Sequence, residues 1–265
     1  MIRAGQPGGT AGPWRASPAG GVSLAAGAVD VWRVTLGAEL AAEGALSLSP
    51  DEAARAARFV FERDRERFVA ARGWLRKVLA GYLGVAPATV AFAYGAHGKP
   101  ELSGAFGQSG LFFNLSHSGD TAVLAVAREV RVGIDVEEIK SAMDMELVAR
   151  SHFSAWEVAE WSALSAAERL PAFFRCWVRK EAYLKALGVG VSRGLGNFSA
   201  SLRPDQPAAL VADEVTPDAP HKWFMIDLPL EDGFAACLAV AGKPLVLRCF
   251  GGVRAKSFDF AATRE

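Results

Sequence analysis

Apolar positions along the chain switch between two periods, and the switches mark its elements. Residues 29–36 (Val-Asp-Val-Trp-Arg-Val-Thr-Leu) alternate in the two-residue rhythm of a half-buried strand. Ser49-Pro50-Asp51-Glu52 follows, with an N-cap serine, a proline at the first helical position and a glutamate at N3, together a capping box. Helical spacing then runs to about Leu83 with a break near Phe61. Phe68, Ala71, Leu75, Val78, Leu79 and Tyr82 share one stripe, which Gly84 ends. Short apolar runs at 90–94, 111–115, 121–127 and 130–137 predict strands, with turns at Ser118-Gly119-Asp120 and Arg128-Glu129. Ser154 with Glu157 and Ser165 with Glu168 form two more capping boxes. The helix opened by the second passes Pro171 near its start and ends at Gly188. A glycine-rich loop, 188–196, leads to strands near 198–202, 222–228, 234–241 and 245–250.

The second half of this pattern echoes the first. Trp74-Leu-Arg-Lys77 followed by Leu83-Gly-Val85 recurs as Trp177-Val-Arg-Lys180 followed by Leu187-Gly-Val189. Downstream, Thr121-Ala-Val-Leu-Ala-Val-Ala127 recurs as Ala235-Ala-Cys-Leu-Ala-Val-Ala241. Agreement in the same order, on the same predicted elements, points to an α+β fold made by pseudo-two-fold duplication of a helix-plus-antiparallel-sheet unit. Two halves meeting face to face would leave a ligand cleft between them. The expected organisation is a flexible leader over 1–27, an N-terminal half over 28–127, a C-terminal half over 128–251 and a loose tail over 252–265.

Composition narrows the function classes. The 265 residues carry 29 basic and 29 acidic side chains, a balance that argues against chromatin or membrane-coating roles, so neither nucleic acid nor membrane is an expected partner. Hydrophobic residues make up 51% of the chain, ample for a sizeable core. No apolar run approaches the roughly 20 residues of a membrane helix, and 1–27 lacks the continuous apolar stretch of a signal peptide. Cys176, Cys237 and Cys249 are odd in number and form no C-x-x-C, which speaks against a disulfide framework and for a reduced, cytoplasmic setting.

Charge is uneven locally. Between Arg55 and Lys77 eight basic residues meet three acids, and Arg63/Arg67 and Arg72/Arg76 are like charges one helical turn apart. A polyanionic ligand would relieve that repulsion; a solvated face laced by pairs such as Asp64–Arg67 fits equally. Gly133-Ile-Asp135-Val-Glu137 ends an apolar strand with two carboxylates on one side. They could converge on a hard cation such as Mg²⁺ or simply face solvent. Trp177, Glu181 and Lys185 share a helix face, either as a column for metal and phosphate or as a tryptophan beside an ordinary ion pair. In Asn114-Leu-Ser116-His117-Ser118 adjacent strand residues point oppositely and no G-x-S-x-G elbow surrounds them, so Ser116 and His117 are no nucleophilic dyad; they donate to phosphate or cap a turn. Gly98-Lys99-Pro100 adds an exposed lysine beside a rigid turn. The glycines at 188, 190, 194 and 196 lack the residues of a phosphate-binding P-loop, and the four histidines show no metal-ligand spacing.

Read in order, Gly98-Lys99-Pro100, Phe113-Asn-Leu-Ser-His-Ser118, Gly133-Ile-Asp-Val-Glu137, Trp177-Val-Arg-Lys-Glu-Ala-Tyr-Leu-Lys185 and Gly188-Val-Gly-Val-Ser192 resemble the 4′-phosphopantetheinyl transferases. The resemblance is to the larger, surfactin-type (Sfp-like) subclass, with two pseudo-symmetric halves in one chain, and covers roughly residues 46–250. It implies an enzyme that moves the 4′-phosphopantetheine arm of coenzyme A to a serine of an apo acyl or peptidyl carrier protein, releasing 3′,5′-ADP and acting as a cytoplasmic monomer. It implies Asp135, Glu137 and Glu181 as ligands of Mg²⁺, with Mn²⁺ as the alternative ion. Arg67, Gly98, Lys99, Pro100, Ser116, His117 and Lys185 would contact coenzyme A. Asp135, Glu181 and Lys185 would carry catalysis, Lys185 neutralising the pyrophosphate and Glu181, directly or through a metal-bound water, taking the serine proton. Trp177 would pack to fix Glu181. Glu52 and Ala57 stand where some relatives carry basic residues. The competing readings are a metal-dependent phosphohydrolase of a nucleotide diphosphate and a non-catalytic coenzyme A- or carrier-binding module.

Overall fold

All three capping boxes form. The backbone N–H groups of Ser49, Ser154 and Ser165 donate to Glu52, Glu157 and Glu168, each three residues on. The computed structural model describes residues 13–18, 22–141, 144–244 and 246–251. Along the chain run β1 (Ala28–Thr35), α1 (Ala38–Ala45), α2 (Pro50–Ala56), α3 (Glu62–Leu83), β2 (Phe92–Tyr94), β3 (Pro100–Leu102), β4 (Leu111–Ser118), β5 (Thr121–Arg128) and β6 (Val132–Glu138). There follow α4 (Met145–His152), α5 (Ala155–Ser162), α6 (Ala166–Leu187), β7 (Phe198–Ala200), β8 (Leu210–Asp213), α7 (Ala219–Lys222), β9 (Trp223–Asp227), β10 (Phe234–Ala241) and β11 (Val246–Gly251). The long helices α3 and α6 both stop at a left-handed glycine, Gly84 at φ 67° and Gly188 at φ 74°.

The α+β class and the duplication are plain in this order. Apart from the short α7, β1 to β5 and β6 to β10 each run as one strand, three helices, a two-stranded ribbon and an antiparallel pair. One sheet has the order β11-β1-β5-β4 and the other β6-β10-β9. β1 pairs antiparallel with β5 as β6 does with β10. The symmetry breaks at β11, which joins the first sheet parallel to β1 and ties the end of the described chain back to the first half. An ion pair reinforces the tie: the Arg248 guanidinium donates to both oxygens of buried Asp30, each at 2.7 Å.

The layers are helix, sheet, sheet, helix. Trp74, Leu75 and Leu79 of α3 pack on Trp32, Leu124 and Val126 of the first sheet. Val178 and Tyr183 of α6 pack on Met225 and Cys237 of the second. Between the sheets, Val31, Val123 and Ala125 meet Ile134, Val136 and Leu238. β5 is therefore covered on both faces, which is why its sequence is continuously apolar rather than alternating.

Two of the three capping glutamates do a second job. Glu52 accepts from buried Arg76 at 2.7 Å, and Glu157 accepts from Lys180 at 2.6 Å with both side chains fully buried. Of the repeated Trp-x-Arg-Lys motif, Trp74 and Arg76 in the first copy and Arg179 and Lys180 in the second thus belong to the core. Three helices escaped the sequence reading, one of them the four-residue α7. α1 starts at Gly37 without a side-chain cap, whereas α4 is capped by Asp144, which accepts from Leu147 N at 3.1 Å. Part of the segment read as a leader is packed: Arg15 bridges to Phe250, and Leu24 lies in the core under α3. The tail over 252–265 lies outside the described residues. The three cysteines are buried and free, and among the described residues no helix is long and apolar enough to cross a membrane.

Candidate active site

The site begins with a close approach. A Cβ on Gly133 would stand 2.1 Å from the Ala182 carbonyl oxygen and 2.2 Å from the Ala186 nitrogen, so α6 lies directly on β6 only because residue 133 is glycine. That contact brings the α6 face carrying Glu181 and Lys185 beside Asp135. From the other side β4 presents alternate residues to β6: Asn114 Oδ1 accepts from Ile134 N at 2.8 Å, Ser116 Oγ donates to Asp135 Oδ1 at 2.8 Å, and Ser118 Oγ donates to Glu137 Oε2 at 2.8 Å.

Lys185 closes a triangle. Its ammonium donates to Asp135 Oδ1 at 2.5 Å and to Ser116 Oγ at 2.9 Å. Asp135 is 2% exposed, and its second oxygen, Oδ2, is buried with no hydrogen-bond partner. Burial pushes the Asp135 carboxyl above its ordinary range, against the opposing pull of Lys185 and Ser116. Burial likewise raises Glu137 and Glu181, and for Glu181 the charges of Asp135 and Glu137 add to the rise. The three carboxylates therefore feel one another. Among the described residues, however, no three His, Cys, Asp or Glu side chains are gathered as a metal site.

Around this centre the other candidates divide. Arg67 on α3 donates to Asp120 in the β4–β5 turn at 2.7 Å, which holds it at the same end of the sheet as His117. Partial enclosure of the His117 ring, then the positive charges of Lys185 and Arg67, hold that imidazole below its usual value. Trp177 stacks on Phe173 at 6.1 Å. His152, which sequence reasoning passed over for want of ligand spacing, edges on Trp177 at 5.7 Å and, after Lys185, slightly offsets the rise at Glu181. Only tertiary packing reveals it, since α4 lies far from α6 in sequence. Lys99 departs from expectation. It is half-buried rather than exposed, with its ammonium on the main-chain oxygens of Lys185 at 2.6 Å and Val132 at 3.4 Å, and burial pushes its pKa down to about 8. Gly98, at φ 75°, and Pro100 shape the turn that carries it.

Two family profiles match the chain: "4'-phosphopantetheinyl transferase, N-terminal" over residues 37–129 and "4'-phosphopantetheinyl transferase superfamily" over 131–239. The chain is 40% identical over 223 residues to 4'-phosphopantetheinyl transferase HetI of Nostoc sp., covering 83% of this chain and 91% of that protein. It is 35% identical over 163 residues to 4'-phosphopantetheinyl transferase psf-1 of Bacillus pumilus, covering 62% of this chain and 67% of that one. Among solved structures, the holo-[acyl-carrier-protein] synthase of Thermotoga maritima aligns at a TM-score of 0.32 and 24% identity over 43% of this chain and 63% of its own, too slight a likeness to bear on the fold.

Proposed function

This chain belongs to the 4′-phosphopantetheinyl transferase superfamily, and from that premise we propose how its residues serve the transfer. The reaction takes the 4′-phosphopantetheine group from coenzyme A to a serine hydroxyl of an apo carrier protein. The P–O bond to the nucleotide breaks, and 3′,5′-ADP leaves. The observation that carries the assignment of residues is the Ser116–Asp135–Lys185 triangle with Glu137 and Glu181 at its edge.

Lys185 sets a positive charge where the pyrophosphate must be neutralised, and Asp135 and Ser116 hold that ammonium so that little reorganisation is needed as charge develops. Arg67 and His117 offer further donors to coenzyme A from one end of the first sheet, whereas the one proton of Ser116 is held by Asp135. Glu181, on the helix face of Lys185, is the acceptor for the serine proton, directly or through a water.

The donor set also fits a hard divalent cation. Asp135, Glu137 and Glu181 would hold Mg²⁺, the buried, unpartnered Oδ2 of Asp135 being the oxygen that asks for one, with substrate oxygens and water completing the shell. Bound there, the ion would supply charge neutralisation to the pyrophosphate oxygens.

Mass spectrometry of apo carrier proteins after incubation with this protein, coenzyme A and Mg²⁺ tests the reading. The expected result is a phosphopantetheine mass gain that a chelator abolishes and Mg²⁺ restores. Absence of any gain across acyl and peptidyl carriers would defeat the transfer, and 3′,5′-ADP release without an acceptor would point to a phosphohydrolase instead. A gain indifferent to the chelator would remove the metal alone.

A further inference from the structure

The β2–β3 turn of the first half reaches the end of the helix that carries Glu181 and Lys185, and one side chain makes the junction. Lys99 Nζ donates to the main-chain oxygen of Lys185 at 2.6 Å and lies 3.4 Å from that of Val132, the first residue of β6. Lys185 is among the last four residues of α6, whose carbonyls have no partner within the helix. One residue earlier, the Leu184 oxygen is taken by Gly188 N at 2.9 Å. A cation in this place also meets the negative end of the helix dipole. The turn is shaped to deliver it. Gly98 N donates to the Gly95 oxygen at 2.9 Å, Gly95 N donates to the Lys99 oxygen at 3.0 Å, and the Lys99 stem runs 3.7 Å from where a Cβ on Gly188 would stand. His97 seats against Gly190 in the same way, 3.3 Å from a Cβ there.

We propose, building on the transfer reaction above, that Lys99 is a positioning residue. It pins the carbonyl of Lys185 to the start of β6 and so sets where the Lys185 ammonium meets Asp135, acting through the main chain rather than by touching coenzyme A. A low pKa for Lys99, caused by burial against the opposing pull of Glu101 and with a smaller push from Arg131, agrees with an amine sealed into this junction.

Lys99→Met keeps the stem and removes the donor. Its kcat should fall about tenfold or more while KM for coenzyme A stays within about threefold. In the coenzyme A-free protein, hydrogen exchange at the Gly188 amide should quicken about tenfold or more as the last turn of α6 loosens. Lys99→Arg, which keeps charge and donors, should recover both and also serves if the Met variant does not fold. A roughly tenfold rise in KM for coenzyme A with kcat and Gly188 exchange unchanged would overturn the proposal in favour of direct contact. So would a variant that behaves as the parent in every measurement. If the parent itself modifies no carrier, the transfer reading fails, and Gly188 exchange still decides whether the clasp exists.

Discussion

Asp135 is the side chain whose situation makes least sense for stability alone. It is buried, its carboxyl is raised by burial, and one oxygen has no partner. Groups kept in such positions are a cost that function explains. Lys185, its ion-pair partner, keeps 30% of its side chain exposed and can turn to water if the pair is broken. Asp135→Asn is therefore expected to leave the melting temperature unchanged or higher while transfer to a carrier falls by about a hundredfold or more. Thermal unfolding and carrier mass gain, measured on one preparation, separate the two effects. A large drop in both would make Asp135 a structural residue. Asp135, Glu137, Glu181 and Lys185 were legible as candidates because strand and helix periods put them on shared faces. The hydroxyls of Ser116 and Ser118 on those acids were not, because they come from a strand whose register against β6 no local pattern specifies.

The repeated Trp-x-Arg-Lys motif shows how far repetition carries at the level of elements. Lys180, in α6, is fully buried on Glu157, which also caps α5 and accepts from Ala200 N at 2.7 Å. Lys77, its counterpart in α3, pairs instead with Glu43, whose side chain is 49% exposed. Removing one partner of a buried pair leaves an uncompensated charge. Lys180→Met should thus cost about 3–5 kcal/mol in urea unfolding. Lys77→Met should cost only about 1 kcal/mol, the scale of an exposed pair. Equal losses would show that the two motif copies do the same work. Capping boxes, long helices and most strands were readable because their signals are local. α1 was not, since Gly37 offers no side-chain cap and tertiary packing against α3 supplies its stability.

Across the whole molecule, the junction at Lys99 has a pH signature. Its pKa falls from the ordinary 10.5 to about 8 on folding, so between those values the unfolded chain holds a proton that the folded protein does not. Stability contributed at this site therefore rises with pH through that window and is lowest below it. Comparison of denaturant unfolding between the parent and Lys99→Met should show the parent gaining up to about 3 kcal/mol on the variant across the window. Parallel curves would mean that the amine is not sealed on folding. The duplication, the α+β class and the order of the chemical motifs follow from the chain alone, because period, caps and repeats are properties of neighbouring residues. Which side chains meet was decided by the tertiary structure: the contact of α6 with β6 at Gly133, the return of β11 to the first sheet, and the seating of Lys99 on the end of α6. Such junctions join residues far apart in sequence, where only the packing of sheet on sheet and helix on sheet sets the distance.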